Sequence, residues 1–427
     1  MRSSTLGAAP VAPLSHDAEV IGLVGFAHGT SHFLQLLLPP LFPWLTRHFS
    51  LSFTRVGALM TVLYVTSGAG QAAAGFFVDR AGALRVLCGG LALIGTAAFL
   101  VAAAPSYPFL LAAAALAGAG NAVFHPADFS LLNRHVSASR LAPAFSAHGL
   151  TGYFGWAAAP VTVAGVAAWL GWRAGAAAGG LLALATLAVV VVRARVLGDR
   201  AEAAGRRDAH PTRGGGGPLA FLGVPAIWLC FLFFVLSTLS ASALQNFGPT
   251  VLQVTHGLSL RTATAALTLY MLGGAAGMTA GGLAGTRGEA HGRRIAVALG
   301  AAALVSLAVA VGGLPGWSVP PAVALVGACT GFAGPSRDLL VRGAALSRFG
   351  ARSFGRIYGF VYSGFDVGGA IAPLLFAGLL DRGRFRQVLV GIAALQAAAL
   401  LTALQIGRDA EPGGAVTTTA GGQGGRA

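Results

Sequence analysis

The sequence predicts an all-α integral membrane protein with twelve transmembrane helices, set out as two pseudo-symmetric six-helix halves. Three observations predict it. The chain of 427 residues is 55% hydrophobic and only 10% charged, where a soluble domain carries about 25% charged residues, so it cannot cover a surface in water. Its apolar runs recur at lengths of about 20 residues, enough to cross a hydrocarbon core of ~30 Å as helix. Residues 193–218 form the longest interior stretch without an apolar face, carrying Arg193, Arg195, Arg200, Arg206, Arg207 and Arg213 against Asp199, Glu202 and Asp208. A basic, glycine-ended linker between two apolar halves reads as a central cytoplasmic loop.

The apolar runs fall at 19–46, 56–78, 84–104, 107–132, 144–170 and 172–192 before that loop. They resume at 219–248, 262–285, 293–314, 319–346, 354–380 and 386–406 after it. This divides the chain into a cytoplasmic N-terminal tail (1–18), a first half (19–192), the central loop (193–218), a second half (219–406) and a disordered cytoplasmic tail (407–427). Pro39, Pro126, Pro160, Pro249, Pro335 and Pro373 lie inside runs, which membrane bundles tolerate because neighbours satisfy the freed backbone groups. With both termini inside, Arg47, Arg55, Arg173, Arg261, Arg382, Arg384 and Arg386 fall outside and the other 21 of the 28 arginines fall inside. The positive-inside rule therefore selects cytoplasmic termini in a bacterial-type inner membrane.

The halves echo each other. Gln35-x3-Pro39 matches Gln245-x3-Pro249 at an offset of 210, Tyr64 and Gly75 match Tyr270 and Gly281 at 206, Gly118 and Pro126 match Gly327 and Pro335 at 209, and Pro160 matches Pro373 at 213. A near-constant offset is the mark of a duplicated unit with its substrate between the repeats.

Composition also excludes partners and chemistries. The net charge of +15 comes entirely from arginine, but these residues stand singly or in pairs in short loops, with no basic stripe for nucleic acid. Cys88, Cys230 and Cys329 lie within apolar runs without paired spacing, so neither disulfides nor a thiolate metal site is indicated. The first apolar run has no cleavage site and reads as an uncleaved span. With no lysine the chain has no Walker loop, and it lacks H-E-x-x-H and G-x-S-x-G. The expectation is a monomeric secondary transporter, neither pump nor enzyme, needing no cofactor and handling a small molecule with protons. A sensor on a transporter scaffold is the rival, and the short low-complexity tail after Arg408 argues against it.

Ionisable residues inside spans cost about 2.5–3.5 kcal/mol on insertion scales and default to functional candidates. His28, His32 and Gln35 share one helical face of the first span. They read as a cavity-lining stripe with protonatable imidazoles, or as histidines satisfied by neighbouring helices. A metal reading of the i, i+4 pair lacks a carboxylate or cysteine in the same span, so no metal ligand is assigned. In the fourth span His125 stands one turn from Asp128, which also has a structural reading as partner of Arg80 or Arg85. His148 in the fifth span reads as structural or gating.

In the second half, Gly334-Pro335-Ser336-Arg337-Asp338 lies opposite the His125-Pro126 segment. Its guanidinium suits an anionic substrate or an internal pair with Asp338 or Asp366. Tyr358-x3-Tyr362-x3-Asp366 forms a single-face stripe whose carboxyl is the leading coupling candidate. Gln245 and Asn246 complete the polar lining.

Between the second and third runs the sequence reads Gly75-Phe-Phe-Val-Asp79-Arg80-Ala-Gly82-Ala-Leu-Arg85. This resembles the G-x-x-x-D-R-x-G signature of the major facilitator superfamily, and with twelve spans and a basic central loop the resemblance covers nearly the whole chain. It implies the major facilitator fold and an inner gate built from Gly75, Asp79, Arg80, Gly82 and Arg85, with Asp128 at its edge. The basic pair after the second glycine is replaced by Ala83 and Leu84, and the second-half equivalent, Gly281 to Arg287, has no aspartate. Asp79 reads as a lock facing the amino end of the eleventh helix near Ser353. Asn121-Ala-Val-Phe124-His125-Pro126 resembles the F-H-P signature of the fosmidomycin-resistance-like branch, which implies proton-driven export of a small, anionic or drug-like compound. Proton-coupled or facilitative import of a small organic anion, or transport of a metal or metal chelate using His28 and His32, stays open as the alternative.

Overall fold

The computed structural model describes residues 13–198, 220–285, 291–349 and 354–410, excluding the surroundings of Gly75 and the side chains of Asp79 and of residues 338–349 and 354–359, among others. The described residues form helices and short turns without strands. The tails, most of the central loop and Ser353 lie outside that description.

The first half comprises α1 (Leu14–Gln35), α2 (Phe42–His48), α3 (Phe53–Ala81), α4 (Ala83–Ala103), α5 (Tyr107–Asn121), α6 (Phe124–His135), α7 (Leu141–Leu170) and α8 (Trp172–Val192). A short α9 (Ala194–Leu197) leads toward the central loop. The second half comprises α10 (Pro225–His256), α11 (Leu260–Gly285), α12 (His291–Val311), α13 (Val319–Phe349), α14 (Phe354–Asp381) and α15 (Phe385–Ala410). Ten stretches are long and apolar enough to cross a membrane. Helices α3 and α11 reach 29 and 26 residues but carry too many glycines, serines and threonines to match that apolarity. They hold the second and eighth positions of the twelve-span plan.

Two expected single spans are broken. The first run bends after Gln35 into the turn Pro39–Leu41 before α2 resumes, because Pro39, Pro40 and Pro43 remove three donors within five residues from the helical ladder. The fourth divides between α5 and α6 at Ala122 and Val123. Pro126 sits in the first turn of α6, where a missing N–H costs nothing, and so permits a fresh helix start there. The matching Pro249 and Pro335 lie inside continuous helices.

Packing reproduces the duplication. In the first half α1 lies on α7, α4 on α8, α3 on α5 and α4 on α5; in the second half α10 lies on α14, α12 on α15, α11 on α13 and α12 on α13. Gly118 and Gly327, matched in sequence, make the same close approach: a methyl on Gly118 would overlap Thr66 and the Leu63 carbonyl, and one on Gly327 would overlap the Tyr270 carbonyl. Small residues substitute here for the hydrophobic effect, which does not drive helices together in lipid.

The halves meet along two equivalent seams, α3 against α14 and α7 against α11. Thr61 donates to the Ala370 carbonyl at 2.7 Å and Thr268 donates to the Ala157 carbonyl at 2.9 Å. Each acceptor lies three residues before a proline, Pro373 and Pro160, where the helix opens its carbonyls to outside donors. At the end distant from the termini the halves are closed against each other. Asp381, ending α14, accepts from the backbone N–H groups of Phe53 and Thr54 at 2.6 and 2.9 Å and from the Thr54 hydroxyl, placing a carboxylate on the positive amino end of α3. Phe247 packs on Phe42 and Phe53, and Phe53 on Phe385, with ring centroids 5.9–6.4 Å apart.

Candidate functional site

In the first half, α1, α6 and α7 bring four imidazoles and a carboxylate together. The i, i+4 spacing that aligns His28 with His32 on α1 faces them toward α6, which supplies His125 and Asp128, and toward α7, which supplies His148. Asp128 is fully buried, and its Oδ2 lies 3.1 Å from His28 Nδ1 and 3.1 Å from His148 Nε2. The His28 and His148 rings stack at 3.6 Å, His32 lies 4.3 Å from His28, and His125 lies 5.2 Å from His28. His125 is exposed while Asp128, His28 and His148 are buried, so the cluster is open on the His125 side. Trp156 packs its ring 4.2 Å from His32 and donates its indole N–H to Gln35 at 2.9 Å, fixing the far end of the stripe.

Asp128 thus sits with His28 and His148, and among the described residues it pairs with no arginine. His148 belongs to the cluster. It was legible as one end of the His148-x3-Gly152-x3-Trp156 stripe on α7, a face as regular as the one on α1.

The second half is built differently. Arg337 on α13 stacks its guanidinium over Phe234 and Phe365, 4.6 and 5.3 Å from the ring centroids, and Tyr362 lies against the same two rings at 4.8 and 5.6 Å. Asp366 is half-buried and makes no ion pair among the described residues. It faces the other half, its Cβ 3.1 Å from where a side chain on Gly68 of α3 would begin. Gln245 and Asn246 are buried; Asn246 turns back to the Ser242 carbonyl and hydroxyl at 2.8 Å, and Gln245 reaches the Met271 sulfur at 4.0 Å.

At the expected inner gate, Gly82 has φ 86°, a left-handed value that glycine adopts without the strain of a Cβ, and it turns α3 into α4. Arg80 and Arg85 are exposed beside it, and Arg85 reaches the Ala81 carbonyl at 3.5 Å. Near this end Asp17, which sequence reasoning passed over, is buried and pairs with Arg140 at 2.9 Å while accepting from the Ser137 N–H.

Two six-helix repeats, joined along two small-residue seams and carrying polar groups within apolar helices, define a membrane carrier fold. The chain belongs to the Major Facilitator Superfamily, whose sequence profile matches residues 22–373. This is a family of transporters and not of enzymes. Among curated relatives, the chain is 30% identical over 145 residues to a fosmidomycin resistance protein of Escherichia coli, covering 34% of this chain and 36% of that protein. It is also 30% identical over 249 residues to the membrane sensor protein UhpC of Salmonella typhimurium, covering 53% and 54%. The matches thus span a third to a half of those relatives. Among solved structures, the nucleoside transporter NupG superposes with a TM-score of 0.73 at 12% identity, over 91% of this chain and 99% of that one. An inward-facing, unoccupied bacterial homologue of the lysosomal transporter Spinster gives 0.70 at 14%, over 93% and 98%.

Proposed function

We propose that this protein is a secondary active transporter that exports a small anionic or drug-like molecule across the bacterial inner membrane, in exchange for protons, by alternating access. Both termini then lie in the cytoplasm, the side that the arginine distribution favours. The observation that carries the reading is the place of Asp366: a carboxyl without an ion-pair partner among the described residues, on a seam that has to open and close when the halves rock. Desolvating a carboxylate against Gly68 costs free energy that a bound proton removes, so the seam couples proton occupancy to closure. Arg337, a permanent cation backed by two phenyl faces, supplies the anchor for an anion. The exposed His125, with His28, His32 and Gln35 behind it, lines the opposite wall. The likeness to a resistance protein supports export.

Substrate-driven proton movement in vesicles holding the purified protein tests this, against a panel of anionic drugs and metabolites. Asp366→Asn is expected to abolish coupled proton flux while substrate still binds. Undiminished proton flux in that variant overturns the coupling role. The likeness to a membrane sensor favours a second reading, in which the same fold binds a ligand without moving it; ligand binding with no flux in the unaltered protein selects it.

A further inference from the structure

The histidine cluster has a second chemistry that transport of an organic anion does not use. A carboxylate only accepts hydrogen bonds, so Asp128 Oδ2 fixes the His28 proton on Nδ1 and leaves the lone pair on Nε2. That is the arrangement by which carboxylates orient metal-binding imidazoles. His32 Nδ1 is buried without a hydrogen-bond partner. Both nitrogens lie close against Gly152: a methyl group there would stand 3.0 Å from His32 Nδ1 and Cε1 and 3.2 Å from His28 Nε2. His125 completes the set, since one ligand atom from each of His28, His32 and His125 lies within 4.8 Å of the others. Tetrahedral zinc with Zn–N bonds of about 2.0–2.1 Å holds its ligands about 3.4 Å apart, so on binding the three nitrogens draw together from within 4.8 Å to that spacing. The neighbouring trio of His28, Asp128 and His148 also has metal-ligand spacing, but its atoms already satisfy one another at 3.1 Å.

We infer that His28, His32 and His125 form a binding site for a borderline divalent transition-metal ion of the zinc class, with Asp128 and His148 holding the His28 ring and the fourth coordination position open toward the exposed face of His125. Imidazole nitrogens suit zinc, copper, nickel and cobalt(II), and do not suit magnesium or calcium, which take oxygen ligands. The site does not rest on the transport reading: binding is measurable in a protein that moves nothing.

The test uses the full-length protein in detergent, free of any affinity tag and stripped with chelator, titrated with Zn2+ by calorimetry and with Co2+ by visible absorption. One Zn2+ per chain is expected, with cobalt bands of tetrahedral intensity that Zn2+ displaces and excess Mg2+ does not. His32→Gln and Gly152→Ala, checked for monodisperse elution, are expected to abolish binding, the second by crowding a methyl against both nitrogens. Asp128→Asn is expected to weaken binding about 10- to 100-fold while keeping the cobalt spectrum, and His16→Ala to change nothing. No stoichiometric Zn2+ in the unaltered protein, or binding that survives both His32→Gln and Gly152→Ala, overturns the site. A failed flux assay with intact zinc binding removes the transport reading and leaves this one standing.

Discussion

The two halves share a packing skeleton and differ in nearly everything polar. At the offset of 210 that aligns Gln35 with Gln245, His28 corresponds to Thr238 and His32 to Ser242. At the offset of 209 that aligns Pro126 with Pro335, Asp128 corresponds to Arg337. The same position therefore carries a buried anion held by two imidazoles in one half and a cation held by two phenyl rings in the other. Helix contacts, small residues at close approaches and the two threonine bonds across the seams obey the repeat. Duplication fixes what backbone approach requires, because a methyl at Gly118 or Gly327 would collide with backbone. It leaves cavity-facing positions free to diverge.

The largest test of that contrast exchanges neither half but removes each centre. Asp128→Ala leaves the donors of His28 and His148 unpaired in a buried site, at a cost of about 1–3 kcal/mol each. Its thermal unfolding in detergent should fall by several degrees. Arg337→Ala at the equivalent position removes two cation–ring contacts worth about 0.5–2 kcal/mol each, so it should cost less stability than Asp128→Ala, and it should weaken an anionic ligand about 10- to 100-fold, the worth of a charge-assisted contact. If Arg337→Ala leaves the affinity for every anionic ligand unchanged, Arg337 is no anchor and the contrast between the halves is structural alone.

A smaller effect is expected from the paired prolines. Pro126→Ala returns an N–H aimed at the Ala122 carbonyl and removes the reason for α5 and α6 to part. Joining them turns His125 and Asp128 away from α1, so the variant should lose the histidine geometry and most activity while gaining helical continuity. Pro335→Ala acts in a helix that is already continuous and should change transport by no more than about twofold. Equal losses in the two variants, measured as substrate flux per reconstituted protein, would mean that the break in the first half does not position the cluster.

The skeleton was legible from the sequence because membrane helices are selected by length and apolarity, and a central basic loop divides them. Pro126 and Pro335 fall at equal places, yet only one of them ends a helix, so the broken spans were not legible: whether a proline interrupts depends on neighbours that satisfy the freed carbonyl. The site was half legible. His28, His32 and His125 were visible as ionisable groups in apolar runs, whereas the partner of Asp128 depended on how α7 lies across α1 and α6. Helical spacing suggested His125 and a place near the inner end suggested Arg80 or Arg85, and packing supplied His28 and His148. Asp381 was missed for a related reason: an aspartate after a span is ordinary, and its bond to the start of α3, more than three hundred residues away, exists only once the seam is formed.

The smallest effect addresses the feature the halves share most closely. Thr61→Val and Thr268→Val each delete one hydrogen bond across a seam, worth about 0.6 kcal/mol on average in a membrane protein and at most about 1.7. The acceptors survive with other partners, since carbonyls three residues before Pro373 and Pro160 also belong to their own helices. Each single variant should therefore shift the balance between seam-closed and seam-open states by about threefold, read as the distance distribution between spin labels at the end distant from the termini. If the seams move together as rigid halves rock, the double variant gives the product of the two shifts, about ninefold. A double variant no different from either single would show that one seam opens without the other, and that the two halves, alike in packing, are unlike in motion as well as in charge.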